Sequence, residues 1–287
     1  MAIENIASSA TPASVSGIIY ILQTIEKYMP IFILVISRIF GMFLQAPFFN
    51  NKALPPQVRA TIVVALGMMY MLTVKPNPAD YVIPSNIFMF SFAMIRELLV
   101  GVIFGFCAYI TVAAIQAAGE VIDVQMGLSM VTLFNPQTKS QSSATGRLFY
   151  QIESMVFIIA GGHLLLLSVF FSSFEILPIL KFSFNHHIAL NQFILIAGKL
   201  FYITAKLALP LLVVLFIIDF SLGITNKVSP QINVLELMTA MKPTTGMLIL
   251  LILCSTLVNV IGDYKIDIIK DAYSIIKAIA KSVELAK

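Results

Sequence analysis

Most constraining for the fold is a series of apolar runs that are long enough to cross a membrane but too long, or too charged, to be simple crossings. They lie at residues 16–49, 58–74, 85–119, 148–180, 188–226 and 244–262, where about 20 apolar residues suffice to cross the hydrocarbon. The runs are continuous, without the ten-residue alternation of a membrane barrel, so helices are the expected spanning element. The chain is 59% hydrophobic and 11% charged, against roughly a quarter charged in soluble domains. An all-α fold of helical hairpins in one membrane domain, residues 1–287, is predicted.

Charges inside the runs limit where these helices can sit. Arg38, Arg96, Glu97, Glu120, Glu153, Lys199, Lys206 and Asp219 all fall within or beside apolar segments, and each would cost at least about 2.5–3.5 kcal/mol at the bilayer centre. Much of this surface should therefore face protein or water. Arg38, Arg96, Glu97, Lys206 and Asp219 are expected as buried interhelical charges. Arg96 and Glu97 are adjacent, so each should pair with another segment, or line a proton or ion path. Pro30 should split the first run, and Pro210, with Lys199, Lys206 and Asp219 around it, should bend the fifth or break it into a hairpin. Polar, proline-containing loops are expected at 50–60, 75–86, 135–146 and 226–234.

Several functional classes lose ground on composition. Cys107 and Cys254 sit in apolar runs without metal spacing, and the three histidines form no HExxH helix, so neither metal nor cofactor is expected. The net charge of +4 comes from scattered Lys and Arg, which suits anionic membrane lipid rather than nucleic acid. The first residues lack the pattern of a cleaved signal peptide. Residues 264–287 carry Ile268, Ile269, Ala272, Ile275, Ile276, Ile279 and Val283 at helical spacing. They predict a C-terminal amphipathic helix, lying on a membrane surface or docked on a partner.

The stretch AGEVIDVQMGLSMVTLFNPQ, residues 118–137, breaks the apolar pattern. Glu120 and Asp123 stand three apart, on one face of a continuing helix, but no nucleophile or metal ligand accompanies them, so no catalytic residue is assigned. Gly127 permits backbone angles that other residues avoid, and Pro136 ends any helix before it. Between them Leu128, Met130, Val131, Leu133 and Phe134 form an apolar loop. Such a loop is tolerated where it lines or blocks an aqueous path, or packs as a re-entrant segment.

These residues also carry a resemblance. AGEVIDVQMGLS, NPQ, GGHLLLL (161–167), FFSSFEILPI (170–179), LALPLLVVLFIIDFSLGITNKVSPQINV (207–234) and LPPQVRATIVVALG (54–67) resemble, in order, the FliR family, the flagellar members of the FliR/SctT export-gate proteins of type III secretion. Asn135 replaces the aspartate usual before the proline, and Met238, Thr239 and Ala240 stand where Gly-Phe-Pro is usual. The resemblance implies a non-enzymatic inner-membrane subunit at the flagellar basal body, built as a FliP-like portion followed by a FliQ-like portion. Its partners would be FliP, FliQ and FlhB, in an assembly largely lifted out of the bilayer plane, and its cargo unfolded flagellar export substrates. It further implies a channel plug at about 126–142, comprising Met126, Gly127, Leu128, Ser129, Met130, Val131, Leu133, Phe134, Asn135 and Pro136. Glu120, Asp123 and Gln125 would anchor its base. An injectisome subunit is the alternative within the family. Outside it stand a secondary transporter using Arg96, Glu97, Lys206 and Asp219, and a serine hydrolase near His163 that lacks a nucleophile motif.

Overall fold

The computed structural model describes residues 13–47, 55–84, 86–128, 143–180, 186–231 and 233–284. They form seven α-helices: α1 (Ala13–Gln45), α2 (Pro56–Val74), α3 (Ile87–Met126), α4 (Ala144–Ile159), α5 (Gly162–Ile176), α6 (His186–Val228) and α7 (Val234–Glu284), with a 3-10 turn at Pro78–Asp80. No strand occurs among the described residues. Five helical stretches, in α1, α2, α3, α6 and α7, are long and apolar enough to cross a membrane, and the bent pair α4–α5 is a sixth candidate. At about 1.5 Å per residue α7 is roughly 77 Å long, more than twice the ~30 Å hydrocarbon thickness.

Helix α3 supplies residues to two compact units. The first comprises residues 1–105 and 177–182. In α1 the apolar residues Ile31, Leu34, Val35, Ile39 and Met42 recur at helical spacing and are buried, the stripe that an inward-facing helix requires. Helix α2 packs on α1 through Gly67, where an added Cβ would lie 3.1 Å from Ile36. Helices α1 and α3 meet backbone to backbone. A Cβ at Gly101 would fall 2.8 Å from the Met42 nitrogen, and one at Gly105 2.6 Å from the Met42 carbonyl oxygen. Gly101 and Gly105 are four apart, one turn along a single face, the small-residue spacing that lets membrane helices close up.

The second unit comprises residues 106–176 and 183–287. Its core joins Ala114, Ile115, Ala118 and Ile122 of α3 to Phe149 of α4, Ile203, Leu207, Leu211 and Leu215 of α6, and Ile261 and Tyr264 of α7. Thr204 ties α6 to α3 by donating to the Ala114 carbonyl at 3.0 Å.

Two expectations about helix breaks, and one about what covers the C-terminal helix, need correction. Pro30 lies inside α1, and Pro210 lies inside an unbroken α6 rather than at a hairpin. Proline deletes one backbone hydrogen bond and costs about 3 kcal/mol, but Leu207, Ala208 and Leu211 around it are buried, and core packing outweighs that loss. The break falls instead inside the run 148–180, where α4 and α5 turn by 71°. Gly161 adopts φ +70° there, and Gly162 lies so close to the Phe157 ring that a Cβ would meet it at 2.6 Å. Lastly, residues 264–284 continue α7 without interruption. Ile268, Ala272, Ile275 and Ile276 are buried within the second unit, so this part of the face is covered by the chain itself. Asp271 is buried with them and pairs with Lys199 of α6. Burial lifts its carboxyl above the usual range, opposed by the lysine.

Candidate functional site

The end of α3 is where the unusual sequence of 118–137 becomes geometry. The helix stops at Met126 because Gly127 takes φ +80°, a left-handed conformation that costs other residues about 1–2 kcal/mol. Gly127 N–H then donates to Val124 at 3.1 Å and Leu128 N–H to Asp123 at 3.0 Å. This pair of bonds is a Schellman C-cap, which satisfies carbonyls that the helix end would orphan. Gly127 therefore ends the helix.

Asp123, only 2% exposed, also faces the start of α4. Its carboxylate accepts from the Thr145 backbone N–H at 3.0 Å and from the Thr145 hydroxyl. Ser143, the N-cap residue, accepts from Gly146 N–H at 2.9 Å. Two N–H groups of the first turn are thus satisfied, and a negative charge sits where the helix dipole favours it. The approach is possible because glycine faces glycine: a Cβ at Gly119 would lie 2.5 Å from the Gly146 nitrogen. Asp123 thereby holds both flanks of segment 129–142, Leu128 through its carbonyl and Thr145 through its side chain.

A second polar link gathers the neighbouring helices. Gln125 donates to Asp219 of α6 at 2.9 Å, and Lys242 of α7 pairs with the same carboxylate at 2.5 Å. Glu120 joins neither set of polar contacts, although its side chain packs beside Gly146. It is exposed and accepts from Gln116 of its own helix at 3.0 Å. Met126, expected in the seal, instead ends α3 with its side chain buried in the core. It fills a socket left by Gly246, where a Cβ would fall 2.8 Å from its sulfur. Leu128 is half-buried and packs against the same core. Ser129, Met130, Val131, Leu133, Phe134, Asn135 and Pro136 lie outside the described residues.

The remaining singled-out charges differ among themselves. Arg38 and Glu97 are fully buried, joined by a hydrogen bond of 2.7 Å from Nε and an ion-pair contact of 2.5 Å from Nη2 to the same carboxylate oxygen. Arg38 Nη1 also donates to the Leu177 carbonyl at 3.0 Å, and Leu180 N–H to Glu97 at 3.3 Å. Arg96 is half-buried beside a groove lined by Val82, Phe88, Phe92 and Leu180. Lys206, expected to be buried, is exposed and lies over two tyrosine rings. It stands about 20 Å from Asp219 along α6, at ~1.5 Å per residue, so the two do not line a common substrate site. Among the described residues no group of three His, Cys, Asp or Glu could hold a metal. Sequence reasoning missed Ser143, Thr145, Lys242 and Gly246. Ser143 was detectable, as a serine just before a helical pattern.

Comparison with known proteins bears directly on this arrangement. Residues 29–265 match the family described as bacterial export proteins, family 1. The chain belongs to this family. The chain is similar to the flagellar biosynthetic protein FliR of Bacillus subtilis, 29% identical over 84% of this chain and 92% of that protein. The FliR of Pectobacterium carotovorum is 31% identical over 74% and 80%. The Yop proteins translocation protein T of Yersinia pestis is 29% identical over 83% and 91%. The family match encloses Asp123, Thr145, Asp219 and Lys242, and with them the whole base of segment 129–142.

Proposed function

We propose that this chain is a non-enzymatic subunit of the flagellar type III protein export gate in the bacterial inner membrane, assembled with FliP and FliQ beside FlhB. In this reading the segment after Leu128, with Met130, Val131, Leu133 and Phe134 as its apolar residues, seals a protein-conducting path. Unfolded flagellar subunits displace it during export. The family match over residues 29–265 carries the proposal. The double hold of Asp123 on Leu128 and Thr145 supports it, because a seal needs a fixed base.

Native mass spectrometry of the chain co-expressed with FliP and FliQ from the same source tests the assembly. A stable mixed complex is expected; a lone monomer beside folded FliP and FliQ would refute it. Deleting residues 129–134 should then raise ion conductance through the reconstituted complex, and unchanged conductance in a normally assembled complex would reject the seal. The Yersinia relative, at an identity equal to that of the Bacillus FliR, favours an injectisome subunit as the second reading. Restored motility in a cell lacking its own FliR selects the flagellar role, and restored effector secretion without motility selects the other.

A further inference from the structure

Lys206 differs from Lys199 and Lys242 of the second unit in its surroundings. Lys199 pairs with Asp271 and Lys242 with Asp219, whereas among the described residues no carboxylate lies within ion-pair reach of Lys206. Its ammonium lies instead 5.9 Å from the ring centre of Tyr202 and 5.7 Å from that of Tyr264. Aromatic faces attract a cation, but its N–H donors still need acceptors.

Beside Lys206 opens a recess of about 100 Å³ between α3, α6 and α7, walled by Ile122, Leu207, Leu211, Leu250, Leu253 and Leu257. Taking ~30 Å³, the share of a liquid water, for each group, it has room for about three or four methylenes. Pro210 also lines it. Having no N–H, Pro210 leaves the Lys206 carbonyl, four residues earlier, without its helical donor. A cation, two tyrosines and an apolar recess therefore adjoin at one place. Tyrosine and lysine are the side chains that favour headgroup level, where an apolar stem and a polar tip are both accommodated. Free phosphate would satisfy the ammonium and leave the recess empty, while an uncharged chain would do the reverse.

We propose that Lys206, Tyr202, Tyr264 and the adjoining recess bind an anionic phospholipid, its phosphate on the ammonium and part of one acyl chain in the recess. The site goes beyond the export reading and does not depend on it. Native mass spectrometry of the full chain in mild detergent, titrated with phosphatidylglycerol, phosphatidylcholine or inorganic phosphate, tests it. Phosphatidylglycerol should bind at a roughly five- to tenfold lower concentration than phosphatidylcholine. Lys206→Gln should abolish that preference and Lys206→Arg keep it, while Leu253→Phe, which fills the recess, should weaken both lipids. Equal binding of the two lipids by the unaltered chain would overturn the proposal. So would displacement of phosphatidylglycerol by equimolar inorganic phosphate, which would mark a bare anion site. Carbodiimide cross-linking of Lys206 to a carboxylate of a neighbouring subunit would overturn it as well, by assigning the cation to a protein contact.

Discussion

The two compact units solve the same problem, holding a carboxylate inside an apolar helical structure, with opposite chemistry. In the first, Glu97 is matched by the full charge of Arg38, and both side chains are fully buried. In the second, Asp123 is matched by neutral donors, a backbone N–H and a hydroxyl at a helix start. A buried ion pair is costly to form and costlier to halve, because the survivor keeps its desolvation penalty with nothing to offset it. Removing a capping carboxylate leaves neutral donors rather than an unpaired buried charge, so its loss is milder. The first arrangement is therefore the more brittle of the two.

The largest expected effect tests the brittle side. Glu97→Ala should destabilise the first unit by about 3–5 kcal/mol, read as lost folded protein in detergent, whereas replacing both partners by apolar residues should cost little or stabilise. Equal losses from the single and double variants would erase the contrast. Asp123→Ala should cost about 1–2 kcal/mol, read as a lower denaturation midpoint, and Asp123→Asn less, since an amide oxygen still caps. A loss as large as that at Glu97 would show that Asp123 behaves as a core charge. Gly127→Ala should cost about 1–2 kcal/mol by straining the left-handed position, and its additivity with Asp123→Ala measures how far the two helix ends act together. Lys242→Ala should change stability by under about 1 kcal/mol, because its partner is only partly buried. A larger loss would make the link from Gln125 through Asp219 a second clamp.

Length, hydropathy and intramembrane charge made the helical class legible, and the burial of Arg38 with Glu97 follows the rule that such charges face protein. Helix ends were less legible. Pro210 carried the stronger local signal and Gly161-Gly162 the weaker, but proline's penalty is a fixed sum that buried neighbours can exceed, while a positive φ at glycine redirects the chain outright. Gly127 was recognised as special and its role was not, since a flexible loop and a Schellman cap ask for the same residue. Lys206 shows the limit of reading charge from hydropathy alone. Its exposure depends on which side of α6 meets α7, a fact of packing that no single run contains.

Asp123 carries a last consequence. It grips Leu128 and Thr145, which flank 129–142, so this hold is made by residues outside the segment. Such a segment is an exchangeable cassette. Stretches of other length or composition could be spliced between Leu128 and Ser143 while the grip of Asp123 on Leu128 and Thr145 is kept.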